Sequence, residues 1–194
     1  MTRSDNLQAH RQQLRQQRAA LSEAEQVRAA RSVRRLALRV PALSRAERIA
    51  VYLPMGGELD PGPCTELFWQ REQAVFLPCL EGDTLGFRRF TPDTELQRNR
   101  FDIPEPVDTA ERLDGRDLDA VLAPLVGFDR SGNRLGMGGG FYDRTFAFLT
   151  PRKRLQRPKL FGLAYAFQEI DKLEPADWDV PVDGILTPNE YIRT

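Results

Sequence analysis

The chain has 194 residues, with 28 basic and 28 acidic side chains, 41% hydrophobic and 9% aromatic residues. That balance suits one soluble globular domain, spanning 1–194, and is too short for two full enzyme domains. Chains of this size bury roughly 70% of their unfolded surface, so neither a disulfide nor a structural metal is needed. Cys64 and Cys79 lack the paired spacing of a zinc ribbon or a redox C-x-x-C, and His10, the only histidine, all but excludes a Ser-His-Asp or Cys-His triad. Zero net charge conceals an arginine-rich front, because residues 1 to 48 hold eleven arginines against four acids, +7 set against −7 for the body.

In chain order, Ser4 is expected to cap a first helix carrying Leu7, Leu14 and Leu21, and Ser22-Glu23-Ala24-Glu25 reads as a capping box opening a second. Val27, Val33, Leu36 and Val40 supply that helix with an inner stripe, and Pro41 stops it. Ile49 to Leu53 is a short β run ended by Pro54, followed by the Gly56-Gly57 turn and a helix around Thr65 to Glu72. Ala74 to Leu77 is the next buried strand, closed by Pro78, and Leu85 to Phe90 adds another. Residues 91 to 117, rich in Pro, Asp and Glu without an apolar period, read as a wrapping loop. Leu118 to Leu125 has the continuous apolar character of a central parallel strand, and a glycine-rich stretch then leads into a helix over Tyr142 to Leu149. Lys159 to Tyr165 and Gly184 to Leu186 supply later strands.

Strands alternating with helices predict an α/β fold whose sheet is covered on both faces, with a helical front over 1–48 and an α/β body over 49–194. Ligands of such sheets gather beyond the carboxyl ends of the strands, which points to the segments after Leu53 and Leu125. No stretch approaches the roughly 20 apolar residues of a spanning helix, so a cytoplasmic protein with reduced thiols is expected.

The segment after Leu125 is the most informative. Four glycines between Gly136 and Gly140 let backbone amides turn toward an anion, the following helix start adds positive charge, and Arg134 adds a guanidinium fork suited to phosphate. No Gly-Lys-Ser/Thr follows, so this is not a Walker A loop, and the full G-x-G-x-x-G spacing is absent. Asp143 reads either as a helix-start charge or as a ligand for a hard cation. With Asp179, from the Asp177, Asp179, Asp183 stretch, it would suit magnesium beside a nucleotide. Glu58, after Gly56-Gly57, suits hydrogen bonding to a polar heterocycle, or is a solvated loop acid. Arg11 and Arg15 share a helical face and either reach phosphate oxygens or remain solvated.

The run from Pro124 through Asp143, with Gly127-Phe128-Asp129 and Asn133 to Asp143, resembles the signature of the 5-formyltetrahydrofolate cyclo-ligase family, also called methenyltetrahydrofolate synthetase. Tyr52-Leu53 with Glu58, Ile103-Pro104-Glu105-Pro106, Asp179 through Thr187 and the early Leu14-Arg15 helix resemble family segments in order, so the similarity spans nearly the whole chain. The resemblance implies a three-layer sandwich with a Rossmann-like, mostly parallel sheet and an N-terminal helix pair. It also implies an enzyme of folate one-carbon metabolism that converts 5-formyltetrahydrofolate to 5,10-methenyltetrahydrofolate with ATP and Mg2+, releasing ADP and phosphate.

By position, the resemblance makes Arg134, Leu135, Gly136, Met137, Gly138, Gly139, Gly140, Phe141 and Tyr142 the nucleotide loop, completed by Arg11 and Arg15, with Arg134 as the catalytic residue. Asp143 and Asp179 would hold magnesium. Leu53, Glu58, Phe101 and the Met137 to Phe141 stretch would line the folate site. Arg11 stands where the family commonly has lysine, and Met137 and Phe141 stand where other bulky or tyrosine side chains are frequent. A monomer without nucleic-acid or membrane partners is expected. Two other readings are a non-catalytic nucleotide-binding or regulatory protein on the same fold, and an RNA-binding protein using the arginine-rich front.

Overall fold

The computed structural model describes residues 3–107, 110–150 and 157–194, with side chains from Asn6 onward. The first helix, α1, spans Arg3–Ala19 and attaches by one apolar seam: Leu14 is buried beside Val126, Leu135, Ile170 and Leu173. Ser4 lies within α1 rather than ahead of it, and its side chain falls outside the described residues. The second helix, α2 (Glu23–Ala37), opens with the expected capping box, in which the Glu25 carboxylate accepts from Ser22 N (2.9 Å) and the Ser22 hydroxyl accepts from Glu25 N.

The buried inner face of α2 is Ala29, Ala30, Val33 and Ala37, with Leu36 partly buried against the same core, so Val33 and Leu36 serve as expected and Val27 does not. Val27 is 42% exposed because six residues carry it about 120° around the helix from Val33. Val40 is buried, but beyond the helix end. Pro41 does not stop α2; it begins the short α3 (Pro41–Ser44), where its missing N–H costs nothing.

The body is built on β1 (Arg48–Ala50), α4 (Gly62–Gln70), β2 (Ala74–Glu81), β3 (Thr84–Arg89), β4 (Leu96–Arg98), β5 (Pro104–Pro106) and β6 (Arg112–Leu113). It continues through β7 (Ala120–Pro124), β8 (Gly127–Phe128), β9 (Arg134–Leu135), α5 (Phe141–Phe146), β10 (Lys159–Leu163), β11 (Gly184–Leu186) and β12 (Tyr191–Arg193). Eight strands form one sheet in the order β12-β11-β10-β7-β1-β2-β3-β6. The five from β11 to β2 are parallel neighbours, and β12, β3 and β6 join antiparallel at the edges.

Alternate residues serve opposite faces, as the two-residue period requires. Ile49, Val75, Leu122 and Phe161 pack with Val33, Leu43 and Phe68 from α2, α3 and α4. Ala50, Phe76, Val121 and Leu160 pack with Phe146 of α5 and Leu149 of the turn after it. This is the three-layer α/β arrangement, with the expected apolar run supplying the central β7.

Two expectations change. Pro78 does not close β2, which continues to Glu81 paired with β3. Because Phe76 O accepts from Val51 N, alternate positions of β2 face β1, so the missing N–H of Pro78 points to the side where β1 has already ended. Residues 91–117 are not only a loop: β4 and β5 form a hairpin, β6 joins the sheet, and Gly115–Asp117 is a 3-10 turn. Glu105 ties this segment to the edge of β2 by accepting from Leu80 N (3.2 Å) and Asn99 Nδ2 (3.0 Å). From β1 the chain moves to β2 on one side while β7 lies on the other, so a crevice opens at the carboxyl ends of β1 and β7.

Candidate active site

A cavity of about 1050 Å³ occupies that crevice. Its walls are α1, the segment following β1, the β8–β9 hairpin with the glycine run, residues 173–181, and the 99–104 stretch that carries Phe101. The structure brings together in it every residue expected at a site: Arg11, Arg15, Leu53, Glu58, Phe101, Arg134 through Asp143, and Asp179. Met137, Phe101 and Trp178 are exposed large side chains among its lining residues.

The geometry begins at Asp129, which carried no role in the sequence. Asp129 is 2% exposed, and its carboxylate takes four donors: Ser131 N (2.9 Å) and Asn133 N (3.0 Å) on Oδ1, Asn133 Nδ2 (2.8 Å) and Leu173 N (3.0 Å) on Oδ2. Asp129 therefore folds the β8–β9 turn upon itself and ties it to the 173–181 wall. A signal was present in Asp129-Arg130-Ser131-Gly132-Asn133, a cluster of turn formers in which an aspartate can accept amides two and four residues on.

The hairpin delivers Arg134 to the cavity. Its Nε donates to Val180 O (3.3 Å), its Nη2 to Asp143 Oδ1 (2.6 Å), and its guanidinium lies over the Tyr142 ring at 5.6 Å. The sequence assigned Arg134 and Asp143 separate tasks, whereas here they form an ion pair. Asp143 Oδ1 also accepts from Val180 N (3.1 Å), and its Oδ2 has no partner among the described residues. Asp179 accepts from Ala176 N (2.8 Å) through Oδ2, leaving Oδ1 likewise open. Two carboxylates each with an open oxygen in one cavity fit a hard cation that draws its other ligands from water and phosphate. No group of three or more metal-ligating side chains occurs among the described residues, so these carboxylates would supply only part of a cation's ligands. Asp183 serves the sheet, accepting from Leu160 N (2.8 Å) and Lys159 Nζ (3.2 Å).

The glycine run is irregular backbone, with Gly138 and Gly140 at φ values of +100° and +65° that side-chain-bearing residues rarely adopt. Arg11 Nε donates to Gly136 O (2.9 Å) and Arg144 Nη2 to Gly139 O (2.8 Å), so guanidiniums fix both ends. The backbone N–H groups from Gly136 to Gly140 find no acceptor among the described residues. Successive open amides beside an arginine are the donors that an anion cradle requires. The expected helix-start charge contributes little, because α5 has only six residues.

Glu58 is not a solvated loop acid. Its side chain is 11% exposed, Oε2 accepts from Met55 N (3.1 Å), and Oε1 lies 3.8 Å from Arg18 Nη1. Burial raises its pKa, and the Met55 N–H and the Arg18 charge pull it back. Arg18 was missed, although Arg11, Arg15 and Arg18 follow the i, i+4, i+7 spacing of one helical face. Cys64 and Cys79 are free thiols whose pKa values burial pushes up to about 12, which makes both poor nucleophiles.

The model of the 5-formyltetrahydrofolate cyclo-ligase family matches residues 3–188. The chain is 38% identical over 180 residues to the 5-formyltetrahydrofolate cyclo-ligase of Haemophilus influenzae, covering 91% of this chain and 94% of that one. It is 35% identical over 181 residues to the protein of the same name from Escherichia coli K12, covering 91% and 97%. The NMR structure of Aquifex aeolicus 5,10-methenyltetrahydrofolate synthetase superposes with a TM-score of 0.81 at 31% identity, over 100% of this chain and 93% of that one. Among the described residues, no helix is long and apolar enough to cross a membrane.

Proposed function

The chain belongs to the 5-formyltetrahydrofolate cyclo-ligase family, and on that premise we propose that it converts 5-formyltetrahydrofolate and ATP to 5,10-methenyltetrahydrofolate, ADP and phosphate. The observation that carries this reading is that an amide-and-arginine cradle and a buried carboxylate share one cavity. The cradle suits the γ-phosphate, and Glu58 suits the donor edge of a pterin.

In the reaction, the formyl oxygen attacks the γ-phosphorus and ADP leaves. Nitrogen-10 then bonds to the activated formyl carbon and loses its proton, and the carbon–oxygen bond breaks with departure of phosphate. No step requires a histidine. The chain's task is to align oxygen with phosphorus and to stabilise charge on the transferred group, which falls to Arg134 and the Gly136 to Gly140 amides. Arg15, exposed and without a partner among the described residues, is suited to a phosphate oxygen at the cavity edge. Leu53, Phe101, Met137 and Phe141 offer apolar surface to the folate. Phe101 and Phe141 meet edge to face at 5.9 Å.

Asp143 and Asp179 would hold magnesium, which neutralises phosphate charge when bound. Asp143→Asn is expected to raise the magnesium concentration for half-maximal turnover by roughly tenfold or more. Magnesium titration of the folded variant checks this, and unchanged dependence removes Asp143 from the metal site.

Incubation with 5-formyltetrahydrofolate, magnesium and ATP, followed by the near-ultraviolet absorption of the methenyl product, tests the reaction. Absence of an ATP-dependent product overturns it, and ATP binding without ADP release would favour a regulatory nucleotide-binding protein instead. We further infer that residues 1–194 act as one monomeric, cytoplasmic unit. The Arg11 to Gly136 bond between front and body supports the first part, and sedimentation tests the second.

A further inference from the structure

Arg18 is a buried guanidinium that the reaction does not use. It is 2% exposed, sits at the end of α1 in the cavity wall, and its Nε and Nη1 have no hydrogen-bond partner among the described residues. Such a group is a poor device for stability, since an apolar residue of similar volume would avoid desolvating a charge. The turn before Glu58 packs closely on the Arg18 backbone: Gly57 stands at a φ of +76°, and a Cβ there would lie 3.2 Å from Arg18 O. The Gly56-Gly57 turn thereby brings Glu58 beside α1.

We propose that Arg18 is a positioning residue for pterin recognition, holding Glu58 charged and oriented in the cavity wall without itself touching the ligand. This rests on the folate-binding reading of Glu58. The pterin edge presents two parallel donors, N3–H and the 2-amino group, and an ionised carboxylate accepts both, whereas a protonated one offers a single good acceptor. The titratable groups facing Glu58 are Arg18 from α1, with Arg15 beside it, Tyr52 from the segment following β1, and Tyr142 from α5. Burial raises the pKa of both tyrosines, so they stay neutral, and Arg18 is the cation acting on Glu58. With its carboxyl already raised by burial, Glu58 loses charge as pH falls through that raised value. Removing Arg18 moves the loss to higher pH.

The test is calorimetric titration with 5-formyltetrahydrofolate, without nucleotide, between about pH 5.5 and 8.5. Wild type, Arg18→Gln, Arg18→Lys, Glu58→Gln and the Arg18→Gln/Glu58→Gln pair are compared. Arg18→Gln should weaken binding roughly tenfold to a hundredfold at neutral pH and move the acid midpoint upward. Arg18→Lys should keep the midpoint near wild type, and Arg18→Gln should add less than about threefold on Glu58→Gln. Equal losses from Arg18→Gln in both backgrounds, or an unmoved midpoint, overturn the proposal. Should Arg18→Gln fail to fold, Arg18→Lys decides, and a loss as large as that of Glu58→Gln overturns it. Wild type that binds no folate at any pH overturns the folate reading itself, which separates the two failures.

Discussion

Arg134→Gln should lower turnover by about 10²-fold or more at saturating ATP, the scale for losing one preorganised electrostatic donor, while changing folate affinity much less. The guanidinium is held on both sides before any ligand arrives, by Val180 O through Nε and by Asp143 through Nη2, and Nη1 has no partner among the described residues. Its charge is thus oriented in advance, and little reorganisation is required when negative charge shifts during phosphoryl transfer. Arg134→Lys tests geometry, since an ammonium keeps the charge but cannot reach Val180 O and Asp143 with a planar fork. Steady-state kinetics with folate binding measured separately checks both variants. A folded Arg134→Gln protein with unchanged turnover and ATP dependence would reduce the guanidinium to a structural partner of Asp143.

Asp129→Ala is expected to destabilise the protein by about 3 kcal/mol or more, because it strips a buried carboxylate from Ser131 N, Asn133 N, Asn133 Nδ2 and Leu173 N. For a chain of this length, that lowers the melting temperature by roughly 6 °C or more. The effect should extend to ATP affinity, since the same turn delivers Arg134 and supports the wall carrying Asp179. Asp129→Asn should fall between, keeping the shape but turning one end from acceptor to donor. Calorimetric melting is the check, and a midpoint within about 2 °C of wild type would show that the turn holds without its carboxylate.

These two residues mark where the sequence is legible. The buried strands β7, β10 and β11 announce themselves because a parallel strand covered on both faces is a continuous apolar run. The Ser22 capping box is equally plain because it is local. Strands β4, β5, β8 and β9 are only two or three residues long, too short for an alternating apolar period to show, although each pairs with a neighbour close by in the chain. Arg134, Asp143 and Glu58 stand out through their settings beside glycines. Arg18 does not, because its partner Glu58 lies 40 positions away and arginines on a polar helix are ordinarily solvated. Pro78 misleads for a related reason: a proline ends a strand only where its nitrogen faces a neighbour.

The bond between Arg11 and Gly136 spans 125 positions, and this has a consequence for biosynthesis. At ribosomal speeds, α1 emerges roughly ten seconds or so before the carbonyl it will grip has been made. It is well suited to wait: its described side chains offer Leu7 and Leu14 as the main apolar groups among many polar ones, so the unpartnered helix presents little sticky surface to the cell. The sheet can consolidate first around β1, β2 and β7. The candidate cavity closes only after the 173–181 wall has been translated, long after α1, which also lines it.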